Sequence, residues 1–279
     1  MAVLMHRSPT GSPEQELAAF DELSNITAPA ALHAVLLALL LVPRSAHTPD
    51  SWQAWQLETG GDAPAQALWN QVDSLPAAAR LPCFELLLKK MAGQPVSLRH
   101  GLLESTRRVM RSRGAARPID RLHWLAMRFL LGAPALFGTA GTGAADLSGL
   151  PDNRLRAVAS YSAYLSRMVP ADAGGGDDAG MAWLASIVAP WREREAALPR
   201  RLPDTDALVH ALHDLQALAA SQRPMLVRSW TAAALRHSPD QRLSDLSADA
   251  LRLTCTLLDC PLPAELARHY SRFPQEIFR

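Results

Sequence analysis

Apolar residues in this chain recur at helical spacing and nowhere alternate at period two over a useful length. A half-buried strand needs that alternation, because successive side chains point to opposite faces. A core-facing helix needs apolar residues at i, i+3, i+4 and i+7 instead. Residues 120–131 show the helical form, with Leu122, Leu125, Ala126 and Phe129 on one face. Residues 208–219 repeat it with Leu208, Ala211, Leu212, Leu215 and Ala219. Ala and Leu dominate and β-branched residues are sparse, which favours helix further. The expected fold is all-α: two helical modules joined by a helical middle segment with flexible Gly-rich loops.

A chain of 279 residues makes one large domain or two smaller ones, and 48% hydrophobic residues supply a sizeable core. Charged residues make up 20%, too few for wholesale disorder, and a net charge of +1 selects no class of partner through the global field. Cys83, Cys255 and Cys260 are odd in number and too few for a disulfide framework. Buried thiols in a reducing, cytoplasmic compartment are the simple expectation. Residues 1–23 lack the basic region and apolar stretch of a secretory signal. The longest apolar run, 34–42, falls well short of the about 20 residues a membrane span requires, so it is expected to be a core helix.

Turn and breaker residues divide the chain into five parts: a disordered segment 1–25, a first helical module 26–132, connecting helices and loops 133–203, a second module 204–270 and a tail 271–279. The first module holds predicted helices at 29–42, 64–72, 77–91, 97–111 and 120–131. Trp52 and Trp55 share a helical face if Pro49-Asp50 opens a helix. They suit packing against a neighbouring helix, or an aromatic cage. Loops are expected at 139–149 and 170–180, around helical pieces 153–168 and 178–197, the latter split by Pro190. In the second module Pro224 opens one helix, and the last runs from Ser244 to a stop at Asp259-Cys260-Pro261. The polar loops 112–120 and 237–245 each follow a Leu- and Arg-rich helix, which suggests a weak internal duplication.

Leu75-Pro-Ala-Ala-Ala-Arg-Leu-Pro82 followed by Glu85-Leu-Leu-Leu88 resembles the start of a TerB-like helical module. Together with Leu251-Arg-Leu-Thr-Cys-Thr-Leu-Leu-Asp-Cys-Pro-Leu-Pro263, it is similar to the tandem TerB-like tail of bacterial HtpX-like membrane zinc metallopeptidases, over about residues 27–267 and without the protease domain. Such modules carry an Asp-Gly turn and then an acidic residue. Here the turn reads Arg113-Gly114 and Asp240-Gln241, and His123 and Ser247 stand at the acidic positions. Asp120 and Ser244 read as N-caps, so His123 and Ser247 fall where Glu or Gln would close a capping box. The resemblance implies a non-catalytic interaction or adaptor module. Its implied partner is a protein near the inner face of the membrane, such as a metallopeptidase or its neighbours.

No catalytic motif is present. There is no His-Glu-x-x-His, and His210 and His213 lie three apart with no intervening carboxylate. The alternative is a metal-binding sensor or enzyme whose site is assembled from His123, His210, His213 and Asp214. Cys255 and Cys260 lack the spacing of a zinc knuckle or redox pair. Cys83 follows Pro82 at an expected helix start, where the dipole would favour thiolate, although a structural role is the more common one. The glycines of 138–143 lack the Gly-Lys-Ser/Thr ending of a phosphate loop and no strand precedes them. No cofactor, metal or catalytic residue is therefore assigned.

Charge is unevenly spread. Lys89, Lys90, Arg99, Arg107, Arg108, Arg111, Arg113, Arg117, Arg121 and Arg128 are opposed only by Glu104 and Asp120, a local net of +8. Arg107, Arg108, Arg111, Arg113, Arg117 and Arg121 form a candidate face for an anionic partner, an acidic protein patch or a lipid surface. A solvated face that offsets acidic segments elsewhere is the competing reading. Nucleic acid is the weakest option, since no aromatic interleaving accompanies the charge.

Overall fold

Proline and cap residues set many of the helix boundaries. In a computed structural model, the structure describes residues 13–41, 49–112, 114, 116–132, 146–170, 177–194 and 202–273. These form thirteen α-helices and, among the described residues, no strand. They divide into two compact units, one of the described residues up to 116 together with 270–273, the other of the described residues from 117 to 269.

The first unit contains α1 (Pro13–Ser24), α2 (Pro29–Leu41), α3 (Pro49–Thr59), α4 (Ala63–Ser74), α5 (Ala77–Ala92) and α6 (Val96–Ser112). α2 is apolar on every side, and the residues from Ala34 to Leu41 are all buried. A helix without a polar face must be enclosed, and α2 packs against α3, α4, α5 and α6. Trp52, Trp55 and Trp69 cluster with ring centroids 4.7–5.1 Å apart. The indole of Trp55 donates to the carbonyl of Ala34 at 3.1 Å. The tryptophan pair therefore packs α3 onto α2 and α4.

Residues 13–24 were expected to be disordered, and they form α1 instead. Phe20 and Leu23 are buried, Phe20 meets Phe273 at 5.3 Å, and Glu16 pairs with Arg272 at 2.9 Å. Polar composition concealed a helix that needs only a narrow apolar stripe. Residues 271–273, read as tail, complete that contact.

The second unit contains α7 (Pro118–Leu131), α8 (Asp152–Leu165), α9 (Asp177–Val188), α10 (Thr205–Gln216), α11 (Gln222–His237), α12 (Asp245–Leu257) and α13 (Ala264–His269). α8 packs on α10, α7 on α12, and α11 on both α9 and α12. The sequence grouped α7 with the helices before it and treated 153–197 as connection. The structure places α7, α8 and α9 inside the second unit, where Tyr161, Tyr164, Trp183 and Trp230 are buried. Helix α9 stops at Val188, and Ala189–Trp191 continue as one 3₁₀ turn around Pro190, as a missing N–H there requires.

Caps agree with the sequence at Ser244, whose hydroxyl accepts from the Ser247 amide at 3.2 Å. They differ at Asp120, which was expected to be an N-cap. Helix α7 starts at Pro118, so Arg117 is the cap residue and Asp120 lies one turn in. Its carboxylate accepts from the Arg117 amide at 2.9 Å, taking the acidic role of a capping box. Pro118 fixes the start earlier because its ring favours the first helical position.

The C-terminus of α12 is closed by backbone. Asp259 adopts φ 47°, the Cys260 amide donates to Cys255 at 3.1 Å and the Asp259 amide to Thr256 at 3.2 Å. This is a Schellman closure with Asp in the left-handed position, and Pro261 follows where the helix cannot continue.

Candidate functional site

The six arginines of the proposed anionic face are not brought onto one element. Helix α6 turns Leu102, Ser105, Thr106 and Val109 inward, which leaves Arg107, Arg108 and Arg111 exposed along its last turns. Arg117 and Arg121 belong to α7 in the other unit, and Arg113 lies outside the described residues.

Their commitments differ. Arg108 forms a fork to Glu58 on α3, at 2.5 and 2.7 Å, and reaches the Ser105 hydroxyl at 3.2 Å. Such bidentate geometry fixes both side chains, so Arg108 ties α6 to α3. Arg107 pairs with Glu104 on its own helix at 2.5 Å. An exposed pair of this kind is worth little. No carboxylate among the described residues pairs with Arg111. Arg117 is spent on Asp120, at 2.9 Å. Earlier in the basic run, Lys90 donates to the Ser24 carbonyl and, at 3.2 Å, to that of Ile26. It therefore caps the end of α1.

The Glu58–Arg108 pair also bears on a titratable core group. His33 on α2 is half-buried, and its Nε2 has no hydrogen-bond partner among the described residues. Burial holds its pKa below the ordinary 6.5; Glu58 opposes this and Arg108 reinforces it. The hydrogen bond from Arg108 holds Glu58 below the usual carboxylate range. A histidine with a lowered folded pKa is neutral in both states above about pH 6.5. As pH falls below that, the unfolded chain takes up the proton first, so stability is lost until folded His33 titrates too. Glu58 adds a second loss below its own ordinary pKa. We expect the urea midpoint to fall between pH 7 and 5, with His33 contributing at most about 1.4 kcal/mol per pH unit. His33→Leu should flatten that segment, and an unchanged slope in the variant would remove His33 as its source.

The histidines suspected of metal binding are dispersed. His123 Nδ1 lies 3.1 Å from the Ile119 carbonyl on its own helix. His210 Nδ1 lies 2.7 Å from the Asp206 carbonyl. Asp214 is held by Arg154 at 2.7 Å. Among the described residues no group of three His, Cys, Asp or Glu side chains could hold a metal ion. Cys83 lies within α5 rather than at its start, because the helix begins at Ala77 and runs through Pro82. Burial pushes its thiol up to about 12, the reverse of activation. Cys255 is buried, and Cys260 is half-buried. The glycines of 138–143 lie outside the described residues.

No family model, curated protein or solved structure matches the chain. Among the described residues no helix is long and apolar enough to cross a membrane.

His210 and His213 do share one setting that sequence reasoning missed. With Leu125, Arg128, Val209, Leu212 and Gln216 they line a cavity of about 340 Å³ between α7 and α10. Spacing shows that His210 and His213 lie close on one helix. It carries no sign that Arg128 of α7 faces them.

Proposed function

We propose that the chain is a non-catalytic helical interaction module that docks an acidic protein surface through the last turns of α6. One observation carries this reading: Arg107 and Arg111 are exposed at i, i+4 on a helix whose opposite face is buried. Arg111 pairs with no carboxylate among the described residues. A helix that presents cations on a packed support offers a pre-oriented surface, which favours fast association with an acidic partner. The kinship with the tail of HtpX-like membrane metallopeptidases is part of the same proposal. It points to such a protease, or a protein beside it at the inner membrane surface, as the partner.

Arg108 is unsuited to the test because its reversal would set two carboxylates against each other at Glu58. Arg107→Glu combined with Arg111→Glu leaves that fork intact. Affinity capture with the tagged chain from a bacterial membrane extract should recover a metallopeptidase or its neighbour. The double reversal should reduce that recovery about tenfold or more at low salt, with helicity and melting temperature unchanged. Equal recovery by folded wild type and variant would move the interface off α6.

A further inference from the structure

We infer that the cleft between α7 and α10 binds a small amphipathic carboxylate, an organic acid with an aliphatic or aromatic body. The cavity is about 340 Å³, at the small-molecule end of ligand pockets. Its described lining divides into two kinds of surface. Leu125, Val209 and Leu212 supply apolar wall, while Arg128 supplies a cation and His210 and His213 supply ring nitrogens. No carboxylate belongs to the described lining, and none among the described residues pairs with Arg128. A guanidinium beside apolar wall recognises a carboxylate through paired N–H donors. A neutral apolar ligand would leave it unused, and a cation would be repelled.

The cleft is held open by the fold. α7 is braced on α12, and the hydroxyl of Tyr164 on α8 donates to the Pro118 carbonyl at its start, at 2.6 Å. α10 is braced on α8, where Arg154 grips both the carboxylate and the carbonyl of Asp214. At the floor Gln216 is 5% exposed, and its amide donates to the Leu257 carbonyl at 2.7 Å. Both walls are thus fixed to α8 and α12, so closing the cleft would break contacts on those helices. The Asp206 carbonyl engages Nδ1 of His210, which leaves Nε2 as that ring's free nitrogen. The nearby carboxylate of Asp214 does not compete for Arg128, being paired with Arg154.

Sodium octanoate titrated into the full chain, followed by calorimetry, tests the assignment. Octan-1-ol, inorganic phosphate and the variants Arg128→Gln and Val209→Glu form the other arms. Val209 is partly exposed at the cleft, so its replacement should leave the fold intact. Saturable octanoate binding with Kd at or below about 1 mM is expected, weakened about tenfold or more by either variant. Octan-1-ol and phosphate should each bind at least about tenfold more weakly, because each lacks one half of the recognition. No binding of octanoate would overturn the proposal, as would binding indifferent to both variants, which would place the ligand elsewhere. Octan-1-ol binding as tightly as octanoate would overturn the role of Arg128. Phosphate competing on equal terms would overturn the apolar half. If Arg128→Gln fails to fold, Val209→Glu alone decides.

Discussion

Trp230→Ala should destabilise the second unit by about 3–5 kcal/mol. Trp230 on α11 is fully buried and stacks on Tyr161 of α8, with centroids 5.7 Å apart and planes 28° apart. Its indole donates to the Ser162 hydroxyl at 2.9 Å, and its carbonyl accepts from the Trp183 indole of α9 at 3.2 Å. Removing the ring takes away one of two fully buried tryptophans at the junction of three helices. It also leaves the Ser162 hydroxyl without that donor in a dry core, an additional cost of about 1–3 kcal/mol where water cannot replace it. A domain of ordinary stability has only about 5–15 kcal/mol in total. The loss is read as a lowered urea midpoint by far-UV circular dichroism. Trp230→Phe, which keeps a ring but no donor, should cost less than half as much. Leu57→Ala serves as the surface control, since Leu57 is 78% exposed and should change stability by less than about 0.5 kcal/mol. A Trp230→Ala variant no less stable than that control would mean that the three helices do not meet on this ring.

Legibility in the sequence followed the range of the interaction. The core character of α2 was visible because a helix apolar on every side has one outcome. The end of α12 was visible because Pro261 and Pro263 forbid continuation whatever packs nearby. The Ser244 cap was equally local. What was not legible concerns which helix covers which face. α7 has a clear apolar stripe, yet periodicity cannot say whether it rests on the helices before it or on α12, far along the chain. The sequence had placed α7 and α12 after the polar loops of two separate modules, and the two pack together in one unit. The same limit hid the candidate sites. Arg108 read as one of six equivalent cations until Glu58 appeared beside it. The cleft could not be seen because its cation and its histidines lie on helices that sequence analysis had assigned to different modules. For Cys83 a structural role was the more common reading, and its burial inside α5 supplies the physical reason, which Pro82 beside it did not reveal.

Gly180→Ala separates local propensity from tertiary packing, because the two predict opposite signs. Gly180 lies in the first turns of α9, where alanine is the better helix former by about 1 kcal/mol. If propensity decided, the variant would be more stable. Yet Gly180 is buried against the end of α8, and a Cβ there would lie 2.0 Å from the Ser166 carbonyl oxygen and 3.0 Å from its carbon. These are backbone atoms, and no rotamer change relieves the contact. The Ser166 residue is itself anchored, its amide donating to the Ser162 carbonyl at 2.9 Å. Relief requires α9 to move away from α8, which stretches the bond from the Trp183 indole to the Trp230 carbonyl. We expect a net loss of at least about 3 kcal/mol, at or above the usual range for overpacking. Because the displaced helix carries Trp183, whose indole is bonded to the backbone at Trp230, the two sites are coupled and the loss should be less than additive with Trp230→Ala. A more stable Gly180→Ala variant would show that α8 and α9 do not approach this closely. Strict additivity of the pair would show instead that the strain is absorbed before it reaches the tryptophans.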